Sequence, residues 1–140
     1  MIREDYLMRM IRQLVDALAR IAGFRMRGEY DRAMAEVGRA WEDLGVPREL
    51  VTAADGPTLA SLLREPDRLR VAAQLLAEEA HVMSARGDPL NAGVLRLRAV
   101  ELFARARAQQ PSADDDNSIA ELGRYLSSAD LIEAVTISNE

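Results

Sequence analysis

The chain has 140 residues, of which 49% are apolar and 29% charged, a balance that supports one buried core and is too apolar for a disordered segment. It contains no cysteine, which excludes a disulfide framework, a thiol nucleophile and thiolate metal sites. The net charge is −5, every one of the eighteen basic residues is arginine, and residues 1–70 hold twelve Arg against twelve acids while residues 71–140 hold six against eleven, so interspersed signs argue against nucleic acid as a partner.

The first element is predicted as an amphipathic helix from Asp5 to Phe24. Leu7, Met10, Ile11, Leu14, Val15, Leu18 and Ile21 recur every three or four residues, and Arg9, Arg12, Asp16 and Arg20 fall on the other side. Charges this early are incompatible with a signal peptide, and no run approaches the ~18 apolar residues of a membrane span, so a cytoplasmic location is expected. Gly23 and Gly28 mark the end of this helix. A second follows over 29–44 through Tyr30, Met34, Val37, Trp41 and Leu44, stopped by Gly45 and Pro47.

Residues 46–65 form the least regular stretch and are expected to be an irregular connector, with Asp55-Gly56-Pro57 as a turn and Thr58 capping a short helix. Pro66 opens a long helix to about Arg86, with Leu69, Ala72, Ala73, Leu76, Ala80 and Met83 as its buried face. Gly87 ends it. Asp88 then caps the next helix, with Pro89 in first position, which runs to about Gln110. A polar loop is expected over about 111–117, a shorter helix capped by Ser118 through Ile119, Leu122 and Tyr125, and, beyond Leu131, Ile132 and Val135, a frayed tail over about 136–140. Nothing alternates with period two, so the fold class is all-α: antiparallel hairpins of about five to seven helices in one domain over 1–140.

Comparison of the chain with itself finds an internal repeat. Gly28-Glu29-Tyr30-Asp31-Arg32-Ala33 and Gly87-Asp88-Pro89-Leu90-Asn91-Ala92 place glycine, acid and alanine at the same offsets, and Arg39-Ala40 and Arg98-Ala99 follow seven residues after each alanine. This pattern resembles the tetratricopeptide repeat around its turn. Together with Asp5-Tyr6-Leu7-Met8-Arg9-Met10-Ile11 and Ala77-Glu78-Glu79, it is similar to a bacterial tetratricopeptide-like family of unknown function over most of the chain, to about Arg107. The resemblance implies helix hairpins nested at small residues, Ala99 among them. The family supplies no activity, and the chain is expected to be a non-catalytic protein-interaction or assembly module; by the resemblance, Gln74, Glu78, His81 and Ser84 fall on the inner, partner-binding face.

The residues offer little to chemistry. His81 is the only histidine, beside Glu78 and Glu79; an enzyme or small-molecule sensor built on it is the alternative from another class, weighed against a groove-lining polar residue. Asp114-Asp115-Asp116 lacks the glycine and distal glutamate of a calcium loop and reads as a solvated loop. Arg96, Arg98, Arg105 and Arg107, with Glu101 among them, read as a salt-bridged helix face. Trp41 and Met8, Met10, Met26, Met34 and Met83 read as core. No phosphate-binding, dinucleotide or nucleophile-elbow motif occurs, so no catalytic residue, cofactor or metal is assigned. A protein partner is expected, or a second copy of the chain. The wide apolar stripe of Leu7, Ile11, Leu14, Val15 and Leu18 marks the interface for a homodimer, or for a purely structural homo-oligomeric subunit.

Overall fold

The computed structural model describes residues 2–138, and among them it contains eight helices and no strand. They are α1 (Ile2–Met26), α2 (Tyr30–Leu44), α3 (Arg48–Ala53), α4 (Gly56–Leu63), α5 (Pro66–Ala85), α6 (Pro89–Gln109), α7 (Asp115–Gly123) and α8 (Ser128–Ser138). Helices α1 and α2 form one hairpin and α5 and α6 the other. Both α1 and α2 pack on α5, while α4, α7 and α8 pack on α6.

The repeat has a physical cause at the two hairpin turns. Gly28 and Gly87 both lie in the left-handed region, at φ 74° and 86°, where a side chain is strained. In the first turn Glu29 N donates to Phe24 O at 2.8 Å and Gly28 N to Arg25 O at 3.0 Å. In the second, Asp88 N donates to Met83 O at 2.9 Å and Gly87 N to Ser84 O at 3.1 Å. Each is a Schellman motif, which satisfies the last carbonyls of one helix and reverses the chain into the next. Asp88 also caps α6 by accepting from Asn91 N at 3.3 Å, and Pro89 occupies the first turn.

The repeated alanines are where the helices meet. Ala33, Ala92 and Ala99 are fully buried, and Ala40 nearly so. Small residues let antiparallel helices approach closely, so a longer side chain there has no space. Ala99→Leu is expected to cost on the order of 1–3 kcal/mol by overpacking. Chemical denaturation measures this, and an unchanged midpoint would show that the crossing has slack.

Central α5 is enclosed by its neighbours, burying Leu69, Val71, Ala72, Ala73, Leu75, Leu76, Ala80 and Val82 around most of its circumference. A helix covered on nearly all sides carries apolar residues nearly all round. The stripe left open runs through Gln74, Glu78, His81 and Ser84, three or four residues apart.

Four expectations are corrected. The stretch 46–65 is two short helices, not an irregular connector, and Asp55 caps α4, accepting from Thr58 N at 2.8 Å in the role assigned to Thr58. One or two turns are too short to show periodicity, yet Val51, Leu59 and Leu63 are fully buried and anchor both. With these the count is eight, above the expected five to seven. The loop expected over 111–117 closes early, because α7 starts at Asp115. Finally, α8 continues to Ser138 through most of the expected frayed tail; residues 139–140 lie outside the described residues.

Candidate functional site: a groove walled by α1, α5 and α7

The open stripe of α5 forms one wall of a groove of about 270 Å³. Gln74, Ala77, Glu78 and His81 come from α5, Leu18 and Arg25 from α1, and Ser118, Glu121 and Leu122 from α7, with Phe103 of α6 and Tyr125 completing the lining. The apolar contribution is Leu18, Ala77, Phe103 and Leu122. Around it stand polar groups of both signs, the mixture that fixes orientation in a binding site.

An ion pair ties two of the walls together. Arg25 Nε donates to Glu78 Oε2 at 2.5 Å and Arg25 Nη2 to Glu78 Oε1 at 3.5 Å. The fork of the guanidinium meets both carboxylate oxygens, so these two charges cancel locally. Further along, the His81 and Tyr125 rings meet edge to face, 5.9 Å apart at 89°. Behind Tyr125 lies Arg96, its Cζ 4.0 Å from the ring centroid and the residue only 6% exposed. That is cation–π contact in a largely desolvated setting, and burial lowers the Arg96 pKa while Tyr125 opposes the shift.

Burial also lowers the His81 pKa, and the Arg25 and Arg96 charges reinforce it against Glu78 and Glu121. The imidazole is therefore neutral at pH 7, with one nitrogen donating and one accepting. Ser118 and Glu121 of α7 face the same groove as His81. Among the described residues no group of three His, Asp or Glu side chains is placed to hold a metal ion.

Three of the four residues expected on the inner face, Gln74, Glu78 and His81, are brought together here. Ser84 is exposed one turn further along and does not line the groove. The opposite wall explains this, since α7 has only nine residues and ends at Gly123, so the groove closes at His81 and Tyr125.

Of the five residues expected at a self-association interface, Leu14 and Leu18 are buried in the chain's own core at 1% and 9% exposure. Leu7 and Ile11 are half-buried, and only Val15 is exposed. The expected arginine face on α6 is also corrected. Arg96 is buried under Tyr125, Arg98 Nη1 donates to Val51 O at 3.1 Å, and Arg107 pairs with Asp116 at 2.7 Å, because α4, α7 and α8 cover this helix. The run Asp114-Asp115-Asp116 is not uniformly solvated, since Asp115 is buried against Arg70. Trp41 is core as expected, whereas Met8 and Met26 are exposed.

Sequence reasoning missed Arg25, Phe103, Glu121 and Tyr125 as groove residues, since they come from separate elements whose meeting no local spacing encodes. No helix among the described residues is long and apolar enough to cross a membrane. Comparison with known protein families, curated proteins and solved structures finds no match to the chain.

Proposed function

We propose that the chain is a non-catalytic, tetratricopeptide-like interaction module that holds an extended segment of a partner protein in the groove between α1, α5 and α7. The observation that carries this reading is the origin of the walls. α1 and α5 are the first helices of the two hairpins, and α7 is the first of the last two helices. Stacking hairpins with their first helices inward produces an elongated inner surface suited to a chain segment. The groove is open and has an apolar strip between polar rims, as a peptide site requires.

Gln74→Arg and His81→Glu place charge on that surface without touching the core. For Gln74→Arg, at an exposed position, stability is expected to stay within about 0.5 kcal/mol, and His81→Glu is expected to cost more, because it loses the Tyr125 contact and puts a carboxylate near Glu78 and Glu121. Proteins retained from a lysate by the immobilised wild-type chain are expected to be lost from both variants. Identical retention by all three would show that the partner surface lies elsewhere.

Self-association is a second reading, favoured by a specific observation. α1 is 25 residues long against 15 for α2, and on or near the part that outreaches it Tyr6, Met8 and Val15 are 67%, 52% and 51% exposed. Exposed apolar residues on one helix are the material of an isologous interface. Because Leu18 is core, the informative variants are Met8→Glu and Val15→Glu. Sedimentation equilibrium is expected to give a dimer mass for wild type and a monomer mass for either variant. A monomeric wild type at micromolar concentration would exclude this reading.

A further inference from the structure

We propose that the groove takes its partner segment through a basic side chain, arginine or lysine, which pairs with the Glu121 carboxylate while apolar neighbours lie along the strip beside it. This deepens the partner-binding reading of the groove and rests on it.

The charges of the lining decide the sign of the occupant. The charged residues that face the groove are Arg25, Glu78 and Glu121. Arg25 is committed to Glu78 by two hydrogen bonds, so that pair presents little net charge. His81 adds none at pH 7, since burial holds its imidazole neutral. Arg96 is buried behind the Tyr125 ring and is not part of the lining. What remains is the Glu121 carboxylate. Elsewhere on α7, Asp115 pairs with Arg70 and Asp116 with Arg107, whereas Glu121, exposed on the groove wall, makes no ion pair among the described residues.

The surroundings narrow the occupant further. Glu121 lies close enough to His81 for its charge to act on the imidazole, which puts the carboxylate near the end of the groove that His81 and Tyr125 close. Tyr125 is 53% exposed, and its ring offers apolar surface to the methylene stem that arginine and lysine share. The strip of Leu18, Ala77, Phe103 and Leu122 accepts apolar residues beside that single charge. A nucleic acid or an anionic membrane would be repelled by the same carboxylate. A small polyamine would satisfy Glu121 and leave the strip uncovered. A protein segment with one basic residue between apolar ones uses both features.

Calorimetric titration of the full chain at low salt with three blocked pentapeptides tests this, in which leucines flank a central arginine, glutamine or glutamate. The arginine peptide is expected to bind about fivefold more tightly than the glutamine peptide, the upper range for an ion pair open to water, and the glutamate peptide most weakly. The preference should shrink as salt is added. Glu121→Gln should erase it and Glu121→Lys should invert it, and both variants should keep the wild-type melting behaviour because the position is exposed. Amide shifts of the isotope-labelled chain locate the peptide and are expected at Gln74, His81 and Leu122. Equal binding of the three peptides to wild type, with those shifts, overturns the basic anchor and leaves the groove reading standing. An arginine preference unchanged in Glu121→Gln also overturns it, as does spermidine that displaces the arginine peptide at equal concentration. Shifts confined to other faces, or no binding of any peptide at millimolar concentration, overturn both.

Discussion

Trp41→Ala is expected to remove about 3–5 kcal/mol of stability, a large share of the 5–15 kcal/mol that holds an ordinary domain folded. Trp41 is fully buried on α2, and its Nε1 donates to Glu79 Oε1 on α5 at 3.1 Å, where Glu79 is fully buried as well. Two effects are combined in the alanine variant, a cavity and the loss of a donor to a buried carboxyl. Trp41→Phe separates them, because it keeps most of the ring volume while deleting the N–H. That variant should cost about 1–3 kcal/mol from the unsatisfied acceptor, with a smaller addition from the lost volume. Glu79→Gln retains an acceptor oxygen for the indole and should cost less than Glu79→Leu, which strands it. Denaturant titrations followed by far-ultraviolet circular dichroism provide the comparison, since the chain's single tryptophan is lost in two of the variants. If Trp41→Phe and wild type unfold at the same midpoint, the hydrogen bond does not join the two hairpins.

Local information was enough for everything that repeats along the chain. The long helices were legible because Leu14, Ile21, Val37, Leu44, Leu69, Leu76 and Leu102 are spaced to fall on buried faces. Gly28 with Glu29 and Gly87 with Asp88 were legible because a Schellman turn requires a residue at positive φ, and glycine supplies it. Spacing put Gln74, Glu78 and His81 on one side of α5, which is why they fall together, whereas choosing that side as the inner face rested on the resemblance to the tetratricopeptide repeat. What failed depends on distance in sequence. Asp115 looked solvated among three aspartates, and only Arg70, 45 residues away, makes its burial possible. Arg96 looked like one member of a charged face until Tyr125 covered it. Gly56 carries the same lesson, since a Cβ there would lie 1.6 Å from Glu101 Oε2, a close approach of α4 to α6 that no property of residues 46–65 announces.

Asp115→Ala should cost about 3 kcal/mol, because it leaves the half-buried Arg70 guanidinium with only the exposed and more distant Asp67 carboxylate, 3.8 Å away. Arg70 Nε donates to Asp115 Oδ1 at 2.8 Å and Nη2 to Oδ2 at 2.9 Å, and Ser112 N adds a third bond to Oδ2 at 2.8 Å. Arg70 also donates to the Gln110 carbonyl, so one ion pair fixes the end of α6, the following loop and the start of α7 against α5. Removing one partner of a buried pair costs about 3–5 kcal/mol, and the lower end applies because the Arg70 side chain remains 16% exposed and regains some water. The same site makes stability depend on pH. The Arg70 hydrogen bonds lower the Asp115 pKa against the opposing effect of burial, and Ser112 N adds to the lowering. A carboxyl with a depressed folded-state pKa stabilises the fold fully above its unfolded value of about 3.9, and that contribution disappears as pH falls through the folded value. Glu101 acts in the opposite sense, because burial raises its pKa and protonation on acidification relieves a buried charge. The stability of wild type minus that of Asp115→Asn isolates the Asp115 contribution from this background. That difference is expected to be constant from pH 7 to about 5 and to shrink steadily below pH 4, as read from denaturation midpoints. A difference unchanged down to pH 2 would mean that the pair with Arg70 does not hold α7 in place.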